Sequence, residues 1–378
     1  MVARRLAFWP LLRVLHRVKR MDLWAELKPI LKERLFPPRA GRMKNGSSSP
    51  PLLFQMATSY WVSQAIYVAA KLGIADLLKN GPESCVALAA ATGVDAPSLF
   101  RLMRALATVG IFSHVRGDWF ALSPLAESLQ TDTATSLRAV VMTIGEIHYQ
   151  ACGQLLHSIQ TGSPCFANVF GKTLFDYLAK DAGAAETFNQ GMTNLSSMLA
   201  YAVLMAYDFS RISSIIDVGG GEGTLLRKIL QFNPEMTGTV LDMPGTFEAV
   251  TQELNGDGSG GRCSYIAGNF FDSVPGGADA YLMCSVIHDW DDTQAIAILR
   301  NCRRAMTENG RVLLVDMVVP DSDTACFSKL LDLNMLVMNG GRERTKAEFC
   351  RLLEVSGYRL TKVVPTMAPQ CVIEGIPR

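Results

Sequence analysis

The residues best suited to acid–base chemistry in this chain are a histidine and the carboxylates near it. His288 and Asp289 follow an apolar run that ends near residue 286, and Asp316 stands near the end of a later apolar run. An imidazole changes its charge near neutral pH, and neighbouring carboxylates can orient the ring and stabilise its charged form. A lone histidine is more often structural. Placed at the end of a strand in a ligand-binding sheet, however, His288 could act as a general base.

A glycine-rich segment lies upstream of this histidine, at residues 217–223 (Asp-Val-Gly-Gly-Gly-Glu-Gly). It follows a β-branched apolar run and precedes a helical pattern, which is the strand–turn–helix order of half a nucleotide-binding unit. Glycine is needed there because a side chain would keep the backbone away from the ligand. A dinucleotide site would need a further glycine at position 224, where Thr224 stands. The segment therefore predicts a nucleotide-like ligand other than a pyridine dinucleotide.

Two more strand ends offer groups that suit a nucleoside. Asp242 ends the second apolar run, 23 residues after Gly219, where an acid accepts hydrogen bonds from ribose hydroxyls. Asn269 and Phe270 follow the third run and offer an oxygen for an adenine amino group and a ring for its face. Each has a plainer interpretation, Asp242 as a helix N-cap and Phe270 as a core residue. Together with the glycine turn they favour a nucleoside ligand.

The elements that position these residues form an α/β pattern. Strand and helix patterns alternate from residue 212 onward, which predicts a parallel sheet with helices on both faces. Only residues 365–370 join the last two strands, too few for a helical crossover, so we expect that pair to be antiparallel. The strand patterns lie near residues 212–218, 237–241, 264–267, 279–286, 311–319, 358–364 and 371–375.

The N-terminal part has a different pattern, that of a winged helix. Helical patterns at 56–78, 84–91 and 97–109 precede two short strands, 111–115 and 119–122, that flank a turn. A mostly helical stretch follows, with one break at a Thr-Gly-Ser-Pro sequence.

Many winged helices bind DNA, which requires a basic face. The helical pattern at 98–109 offers only Arg101 and Arg104 among apolar residues, and the chain beyond residue 45 carries a net charge of −8. These features predict a helix built for packing and no nucleic-acid partner.

The first 45 residues hold twelve Lys and Arg against three acids, in a chain whose net charge is +1. Their apolar residues recur at helical spacing, so this extension could lie on an anionic membrane surface. A solvated appendage, or a true start at Met43, would explain the same pattern. No apolar run is long enough to span a membrane, and nine cysteines without a Cys-x-x-Cys pair predict free thiols in the cytoplasm.

Five motifs in a fixed order give the chain a specific resemblance. With them, residues 52–378 resemble the S-adenosylmethionine (SAM)-dependent small-molecule O-methyltransferases, the family of plant caffeate and flavonoid enzymes, acetylserotonin O-methyltransferase and bacterial polyketide-tailoring enzymes. The motifs are Asp-Val-Gly-Gly-Gly-Glu-Gly at 217–223, Leu-Asp-Met-Pro at 241–244, Gly-Asn-Phe-Phe at 268–271, Ile-His-Asp-Trp-Asp-Asp at 287–292 and Gly-Gly-Arg-Glu-Arg-Thr at 340–345.

This resemblance implies a Rossmann-like seven-stranded methyltransferase sheet, SAM as the cofactor and a homodimer intertwined through the N-terminal domain. It also implies that His288 is the catalytic base, with Asp289 beside it and with Asp316 and Glu343 supporting the ring. The cofactor-binding residues that it implies are Asp217, Gly219, Gly221, Asp242, Met243, Asn269, Phe270 and Cys284.

Two of these positions depart from the family pattern. Asn269 replaces the usual Asp, although its carbonyl can still accept a bond from adenine. Cys284 stands where relatives often have Lys or Ser, so we expect only a backbone contact there.

We therefore expect three segments: a basic amphipathic extension (1–46), a helical winged-helix dimerisation domain (47–158) and a SAM-dependent methyltransferase domain (159–378). The expected reaction methylates a phenolic or enolic hydroxyl of an aromatic or polyketide-like small molecule, without a metal. N- or C-methylation, a non-methylating reaction and a DNA-binding regulator are the alternatives. Methionine suits a flat apolar acceptor, although a methionine stripe is also ordinary core. The candidate acceptor contacts are His148, Phe175, Met192, Met335, Met338 and Asn339.

Overall fold

The computed structural model of the chain describes residues 50–244, 246 and 261–378. The basic extension at 1–45, and with it the predicted membrane contact, lies outside the described residues.

The N-terminal elements confirm the predicted order of helices followed by a β-hairpin. Helix α5 begins where Asp95 Oδ2 accepts a hydrogen bond from the backbone N–H of Ser98 at 2.9 Å, and it buries Met103 and Leu106. Strands β2 and β3 pair antiparallel, and β1 joins them as a third strand. These elements are α1 (Pro50–Ala57), α2 (Tyr60–Lys71), α3 (Ile74–Leu77), β1 (Glu83–Ser84), α4 (Cys85–Thr92), α5 (Ala96–Thr108), β2 (Phe112–Arg116) and β3 (Trp119–Leu122).

The predicted continuous helix at 56–78 is wrong, since three helices cover that stretch. The first break lies at Thr58–Ser59, where the Thr58 hydroxyl donates to the carbonyl oxygen of Phe54 at 2.8 Å. The second lies at Gly73, whose φ of 66° is left-handed and favours glycine. Helix α1 begins at Pro50, where proline is well tolerated in a first helical turn.

Helices connect the hairpin to the main sheet. The predicted break is confirmed at Gly162, which ends α8 with a φ of 72°. Between α6 and α7 the helix widens into one π-helical turn, Ile144–His148. The helices are α6 (Arg138–Thr143), α7 (Tyr149–Cys152), α8 (Leu155–Thr161), α9 (Phe166–Phe170), α10 (Leu174–Leu178) and α11 (Ala182–Ala206), and a 3₁₀ turn at Ala126–Leu129 precedes them.

The main sheet has the strand order β10-β11-β8-β7-β4-β5-β6. As predicted, the central strands pair parallel and β10 and β11 pair antiparallel. Strand β11 also runs antiparallel to β8. A two-residue strand that the sequence did not predict, β9, pairs with the end of β8. The strands are β4 (Ser214–Val218), β5 (Thr237–Asp242), β6 (Cys263–Ala267), β7 (Ala280–Cys284), β8 (Arg311–Val319), β9 (Arg344–Thr345), β10 (Tyr358–Pro365) and β11 (Gln370–Pro377).

Strand β4 is the topological switch point of this sheet. It pairs with β5 on one side and β7 on the other, so the chain crosses over in opposite directions on its two sides. A crevice opens at the carboxyl ends of such strands, where ligands bind in open α/β sheets.

The sheet is buried on both faces because its strands are apolar at successive positions. Ile216 and Val218 of β4 pack on one face with α13 and α15, whereas Ile215 packs on the other with α11 and α12. The remaining helices are α12 (Thr224–Phe232), α13 (Asp292–Ala305), α14 (Phe327–Met338) and α15 (Lys346–Val355), with a 3₁₀ turn at Ile287–Asp289.

Within the described ranges, no single helix has the length and apolar character needed to cross a membrane. Helices α4 and α5, which meet at a bend of 116°, together have that length and composition, and this similarity is limited to those two properties.

Candidate active site

The histidine loop follows β7 at the switch-point edge of the sheet. Ser285, directly after the strand, has a φ of 53°, a left-handed conformation that a residue other than glycine rarely adopts. A 3₁₀ turn then carries His288. The backbone N–H of Arg342 donates to the carbonyl oxygen of His288 at 2.8 Å, and a Cβ at Gly341 would collide with that same oxygen. Glycine at 341 therefore allows the two segments to touch backbone to backbone.

Glu343 holds the imidazole ring of His288. Its Oε1 lies 2.7 Å from His288 Nδ1, and its side chain is fully excluded from solvent. The other ring nitrogen, Nε2, lies 3.8 Å from Asp289 Oδ1, beyond hydrogen-bond distance. A carboxylate at Nδ1 fixes the tautomer that protonates this nitrogen, which leaves Nε2 to accept a proton.

Charge around His288 favours its protonated form. Burial alone would lower the pKa of the imidazole. The charge of Asp289, the hydrogen bond to Glu343 and the charge of Asp316 outweigh that effect and raise the pKa to about 10. The three carboxylates therefore stabilise the imidazolium form of the ring.

Asp316 lies in β8 and contributes charge without a hydrogen bond. It is 1% exposed, and neither of its carboxyl oxygens has a hydrogen-bond partner within the described ranges. Burial raises its pKa to about 7, although the positive charge of His288 opposes that rise. The structure thus gives ring support to Glu343 alone, and Asp316 acts on His288 only through space.

Arg344 is a residue of this site that the sequence did not single out. It is 1% exposed and lies in β9. Its guanidinium donates to the carbonyl oxygens of Ile287 and Trp290, at 3.0 and 2.9 Å, and to Asp292 Oδ1 at 3.0 and 2.8 Å. These bonds hold the loop on both sides of His288. The Arg-Glu-Arg spacing at 342–344 is the signal that could have suggested this role.

The glycine turn follows β4 and faces the same crevice. Gly219 and Gly221 have φ values of 72° and 58°, which favour glycine. Among the described residues, a Cβ at Gly221 would meet no atom within 4 Å, so they leave space beside this turn. The backbone N–H of Gly221 donates to Asp242 Oδ2 at 2.7 Å, which ties the turn to the end of β5.

Asp217 is a buried carboxyl beneath this turn with no partner. It is 1% exposed, and neither oxygen accepts a hydrogen bond from a described residue. Burial, and then the charge of Asp242, raise the pKa of Asp217 to about 7. The Cys284 thiol lies between two such groups: burial raises its pKa, and the charges of Asp217 and Asp316 add to the rise. A cationic ligand in the crevice would compensate both carboxyls.

Asp242 and Met243 lie where the sequence predicts, at the end of β5. Asp242 Oδ1 accepts from the backbone N–H of Met243 at 2.7 Å and from the hydroxyl of Thr246 at 3.2 Å. A carboxylate has about four lone-pair sites, so it can still accept from a ribose hydroxyl. The side chain of Met243 is 52% exposed and free to cover a ligand.

Asn269 and Phe270 follow β6 at the same edge. The Phe270 ring would lie 3.5 Å from a Cβ on Gly219, so it borders the glycine turn. Asn269 Oδ1 accepts from the backbone N–H of Phe271 at 2.9 Å. This bond caps the turn and uses one of the two lone pairs of the amide oxygen, so the contact with adenine stays a prediction.

Helix α14 connects the histidine cluster to the predicted acceptor contacts. Asp332 Oδ1 accepts from the backbone N–H of Glu343 at 2.8 Å, and the Asn339 amide donates to Asp289 at 2.9 Å. Asn334 Oδ1 lies 3.0 Å from His148 Nδ1, although the two residues are 186 positions apart in the chain. Asp332 and Asn334 were not predicted.

The candidate acceptor contacts differ from one another in charge and in burial. Burial lowers the pKa of His148 to about 4 against the opposing hydrogen bond, so its ring is neutral. Phe175 is 41% exposed and stacks on Trp290 with ring centroids 5.6 Å apart. Met335 and Met338 are buried, and Met338 packs in a core cluster with Ile147 and Phe166, whereas Met192 is half-buried on α11.

Comparison with known proteins decides the family. The model of the O-methyltransferase domain matches residues 153–359, and that of the O-methyltransferase dimerisation domain matches residues 54–132. The chain belongs to the O-methyltransferase family. The sheet and the N-terminal helical unit have the class I methyltransferase arrangement that the resemblance implied.

Its relatives cover nearly the same length. A phenazine O-methyltransferase of Lysobacter antibioticus is 43% identical over 86% of this chain and 96% of its own. A phenazine-1-carboxylate N-methyltransferase of Pseudomonas aeruginosa is 34% identical over 82% of this chain and 92% of its own. The crystal structure of human N-acetylserotonin methyltransferase in complex with SAM superposes with a TM-score of 0.81 at 27% identity, over 88% of this chain and 99% of the human one.

Proposed function

We propose that this O-methyltransferase uses SAM to methylate a phenolic or enolic hydroxyl of an aromatic or polyketide-like small molecule, with His288 as the general base. One observation carries the proposal: Glu343 occupies Nδ1 of His288 at 2.7 Å and leaves Nε2 without a hydrogen-bond partner among the described residues. A ring held in this way can receive a proton only at Nε2.

The residues at the switch point fit SAM. Gly221 borders open space, where a ligand can approach the backbone. Asp217 is a buried carboxyl with no hydrogen-bond partner in the described part of the chain, which suits the positive charges of this cofactor. Asp242 would accept from the ribose, and Met243 and Phe270 would cover the base. When bound, SAM supplies an electrophilic methyl group on a positively charged sulfonium.

The chain's own contribution is to orient the acceptor and remove its proton. A phenol with an unperturbed pKa near ~10 is mostly protonated at neutral pH. Nε2 of His288 would take the hydroxyl proton as the acceptor oxygen displaces neutral S-adenosylhomocysteine from the methyl carbon. Glu343 stabilises the resulting imidazolium, and Arg344 keeps the loop in place. A nearby sulfonium charge opposes the imidazolium, so bound SAM favours the neutral ring that the reaction needs.

The neutral ring of His148 and the Phe175–Trp290 pair support a flat, uncharged acceptor. N-methylation is the second candidate, because one relative is named as a phenazine-1-carboxylate N-methyltransferase and another as an 8-amino-8-demethylriboflavin N,N-dimethyltransferase. A neutral amine can attack without losing a proton first, so that reaction would depend less on His288.

The test is incubation with SAM labelled in its methyl group and a panel of hydroxyphenazines, hydroxynaphthoates and polyketide or carotenoid alcohols, each paired with its amino analogue. Tandem mass spectrometry of the products locates the label. We expect O-methyl products from one acceptor class. Label on nitrogen alone would replace the proposal with the second candidate.

We propose that the protein is a homodimer. Helices α1 and α2 expose large apolar side chains, among them Leu53 (71%), Phe54 (66%) and Trp61 (58%), as expected of an unpaired interface. Trp61→Asp should lower the mass measured by light scattering from two chains toward one. Arg116→Asp, at the exposed end of β2, is the matched control and should leave two. A single-chain mass for the unmodified protein would contradict the proposal.

We also propose that the domain boundaries lie at residues 46 and 158 and that the protein is cytoplasmic. All nine cysteines are free thiols, which supports a reducing compartment.

A further inference from the structure

The side-chain amide of Asn339 lies between two groups that fix its orientation. Its Nδ2 donates to Asp289 Oδ1 at 2.9 Å, and its Oδ1 faces the backbone nitrogen of Gly341 at 3.4 Å. An ionised carboxylate only accepts hydrogen bonds and a backbone N–H only donates, so both neighbours require the same orientation. Among the described residues, Asn339 is the one side chain that donates a hydrogen bond to the carboxylate of Asp289.

The carboxylate of Asp289 is close to the free nitrogen of the base. Its Oδ1 lies 3.8 Å from Nε2 of His288, too far for a hydrogen bond. The backbone N–H of Asp289 donates to the carbonyl oxygen of Val286 at 3.1 Å, which fixes the backbone in the 3₁₀ turn. Rotation of the Asp289 side chain therefore decides how near the carboxylate comes to Nε2, and the bond from Asn339 restrains that rotation.

Helix α14 anchors this restraint. The backbone N–H of Asn339 donates to the carbonyl oxygen of Met335 at 3.2 Å, so the amide is attached to the end of the helix. About two turns earlier on α14, Asp332 accepts from the backbone N–H of Glu343 at 2.8 Å. One helix thus holds both carboxylates that flank the ring, Glu343 through its backbone and Asp289 through its side chain.

Asp289 is the carboxylate that could still close on Nε2 of His288. Glu343 is already bound at Nδ1, and Asp316 acts on the ring through space from β8, where the charge of Arg344 opposes it. An imidazolium and a carboxylate attract each other, so without the restraint Oδ1 could approach to about 2.8 Å from Nε2. That pair would hold the ring in its protonated form and occupy the nitrogen that the reaction needs.

We propose that Asn339 is a positioning residue that holds the carboxylate of Asp289 away from Nε2 of His288 and so keeps this nitrogen free for the proton of the methyl acceptor. This inference rests on the proposed role of His288 as general base and names the residue that keeps the base open.

The experiment is the pH dependence of kcat for Asn339→Ala, with labelled SAM and the hydroxyl acceptor that the labelled panel identifies. The released carboxylate pairs with the imidazolium, so the acidic limb of the profile should move to higher pH. We expect a shift of about one pH unit, as for two unit charges that close from 3.8 Å to about 2.8 Å at an effective dielectric constant of about 20. Below the limb kcat should fall about tenfold, and above it kcat should approach that of the unmodified enzyme.

Three further variants isolate the cause of the shift. Asp289→Asn removes the charge that would close on Nε2, so adding Asn339→Ala to it should move the limb no further. Asn339→Ser, whose hydroxyl ends one bond nearer the backbone than the Asn amide nitrogen, should give the same shift and replaces Asn339→Ala if that variant does not fold. Asn80→Ala, exposed in the N-terminal unit, is the control and should leave the limb in place.

A limb that stays in place or moves to lower pH in Asn339→Ala would overturn this inference alone, even if kcat fell equally at every pH. An equal upward shift in the Asp289→Asn background would overturn it too, because the cause would then lie elsewhere. Methylation by His288→Ala at the rate of the unmodified enzyme is a different result, which would overturn the general base itself.

Discussion

Nδ1 of His288 lies 2.7 Å from Oε1 of Glu343, a carboxylate whose side chain has no contact with solvent. The two residues are 55 positions apart, so the bond joins the loop after β7 to the segment that leads into β9. The same segment touches the backbone of His288 through Arg342 and holds the loop through Arg344. The base and the groups that orient it are therefore one packed unit.

Removing the charge of Glu343 should move the pH dependence of methylation. In Glu343→Gln the imidazolium loses a buried counter-charge, so the pKa of His288 falls and the acidic limb of the kcat profile shifts to lower pH. At high pH kcat should fall roughly 10- to 100-fold, because the ring is less basic and less well oriented. Fixed-time methylation assays over a series of pH values measure this dependence of kcat. Glu354→Gln, at an exposed pair with Arg378, is the control, and identical profiles for the Glu343 variant and the unmodified enzyme would refute the assignment.

Binding of SAM should release protons near pH 7. Asp217 and Asp316 have pKa values raised to about 7, and that of His288 is raised to about 10, so a positive ligand charge shifts all three toward their deprotonated forms. S-Adenosylhomocysteine lacks the sulfonium charge and serves as the matched ligand. Calorimetry in buffers of different ionisation enthalpy should give a release larger for SAM by on the order of 0.5–1 proton. Equal release by the two ligands would show that the sulfonium lies away from these groups.

The buried carboxyl of Asp217 should reduce the stability of the folded protein at high pH. Its pKa is about 7 in the folded chain, above the value of an unfolded Asp, so the folded state holds the extra proton between pH 4 and 7 and loses stability as pH rises through that window. Asp217→Asn should therefore raise the melting temperature of the unliganded protein at pH 8 by roughly 2–4 °C, with less gain at pH 5, while weakening SAM binding.

Asp208 offers a control of opposite sign for this experiment. Hydrogen bonds from Ser210 lower its pKa, so Asp208→Asn removes stability that is present at neutral pH. Greater loss of stability at pH 8 than at pH 5 in Asp217→Asn would contradict the burial argument.

Arg344 should act as a positioning residue. Lys cannot donate to Ile287, Trp290 and Asp292 together, so Arg344→Lys should let the His288 loop shift while keeping the charge. We expect kcat to fall roughly 10- to 100-fold with the Kd for SAM nearly unchanged, because small displacements of a catalytic group are costly. Circular dichroism checks folding. Arg342→Lys, half-exposed beside Glu348, should change kcat little. An equal loss of kcat in Arg344→Lys and Arg342→Lys would contradict a positioning role specific to Arg344.

The sheet and the location of the site could be predicted from local patterns in the sequence. Runs such as Ser214–Val218 are apolar enough to be buried on both faces, and the glycine turn and Asp242 are fixed by their places at strand ends. These features depend on residues close in the chain. The pairing of His288 with Glu343 joins residues 55 positions apart, and only the family resemblance implied it.

The contacts that could not be predicted join segments distant in the chain, or depend on the backbone path of a turn. The bond between His148 and Asn334 requires α14 to pass the π-helical turn, which no periodicity reveals. The role of Arg344 requires the fold of β9 against β8. The bond from the Phe271 N–H to Asn269 Oδ1 depends on the backbone path of the turn, which the residue types alone do not give.

The central claim, that His288 removes the acceptor proton, is tested most directly by single-turnover methylation with His288→Ala at saturating SAM, with SAM binding measured on the same sample. The account predicts a rate lower by roughly 10²–10⁴-fold, and a Kd for SAM within a few-fold of the unmodified protein, because the histidine moves a proton and does not hold the cofactor. A rate near that of the unmodified enzyme, with SAM still bound, would contradict it.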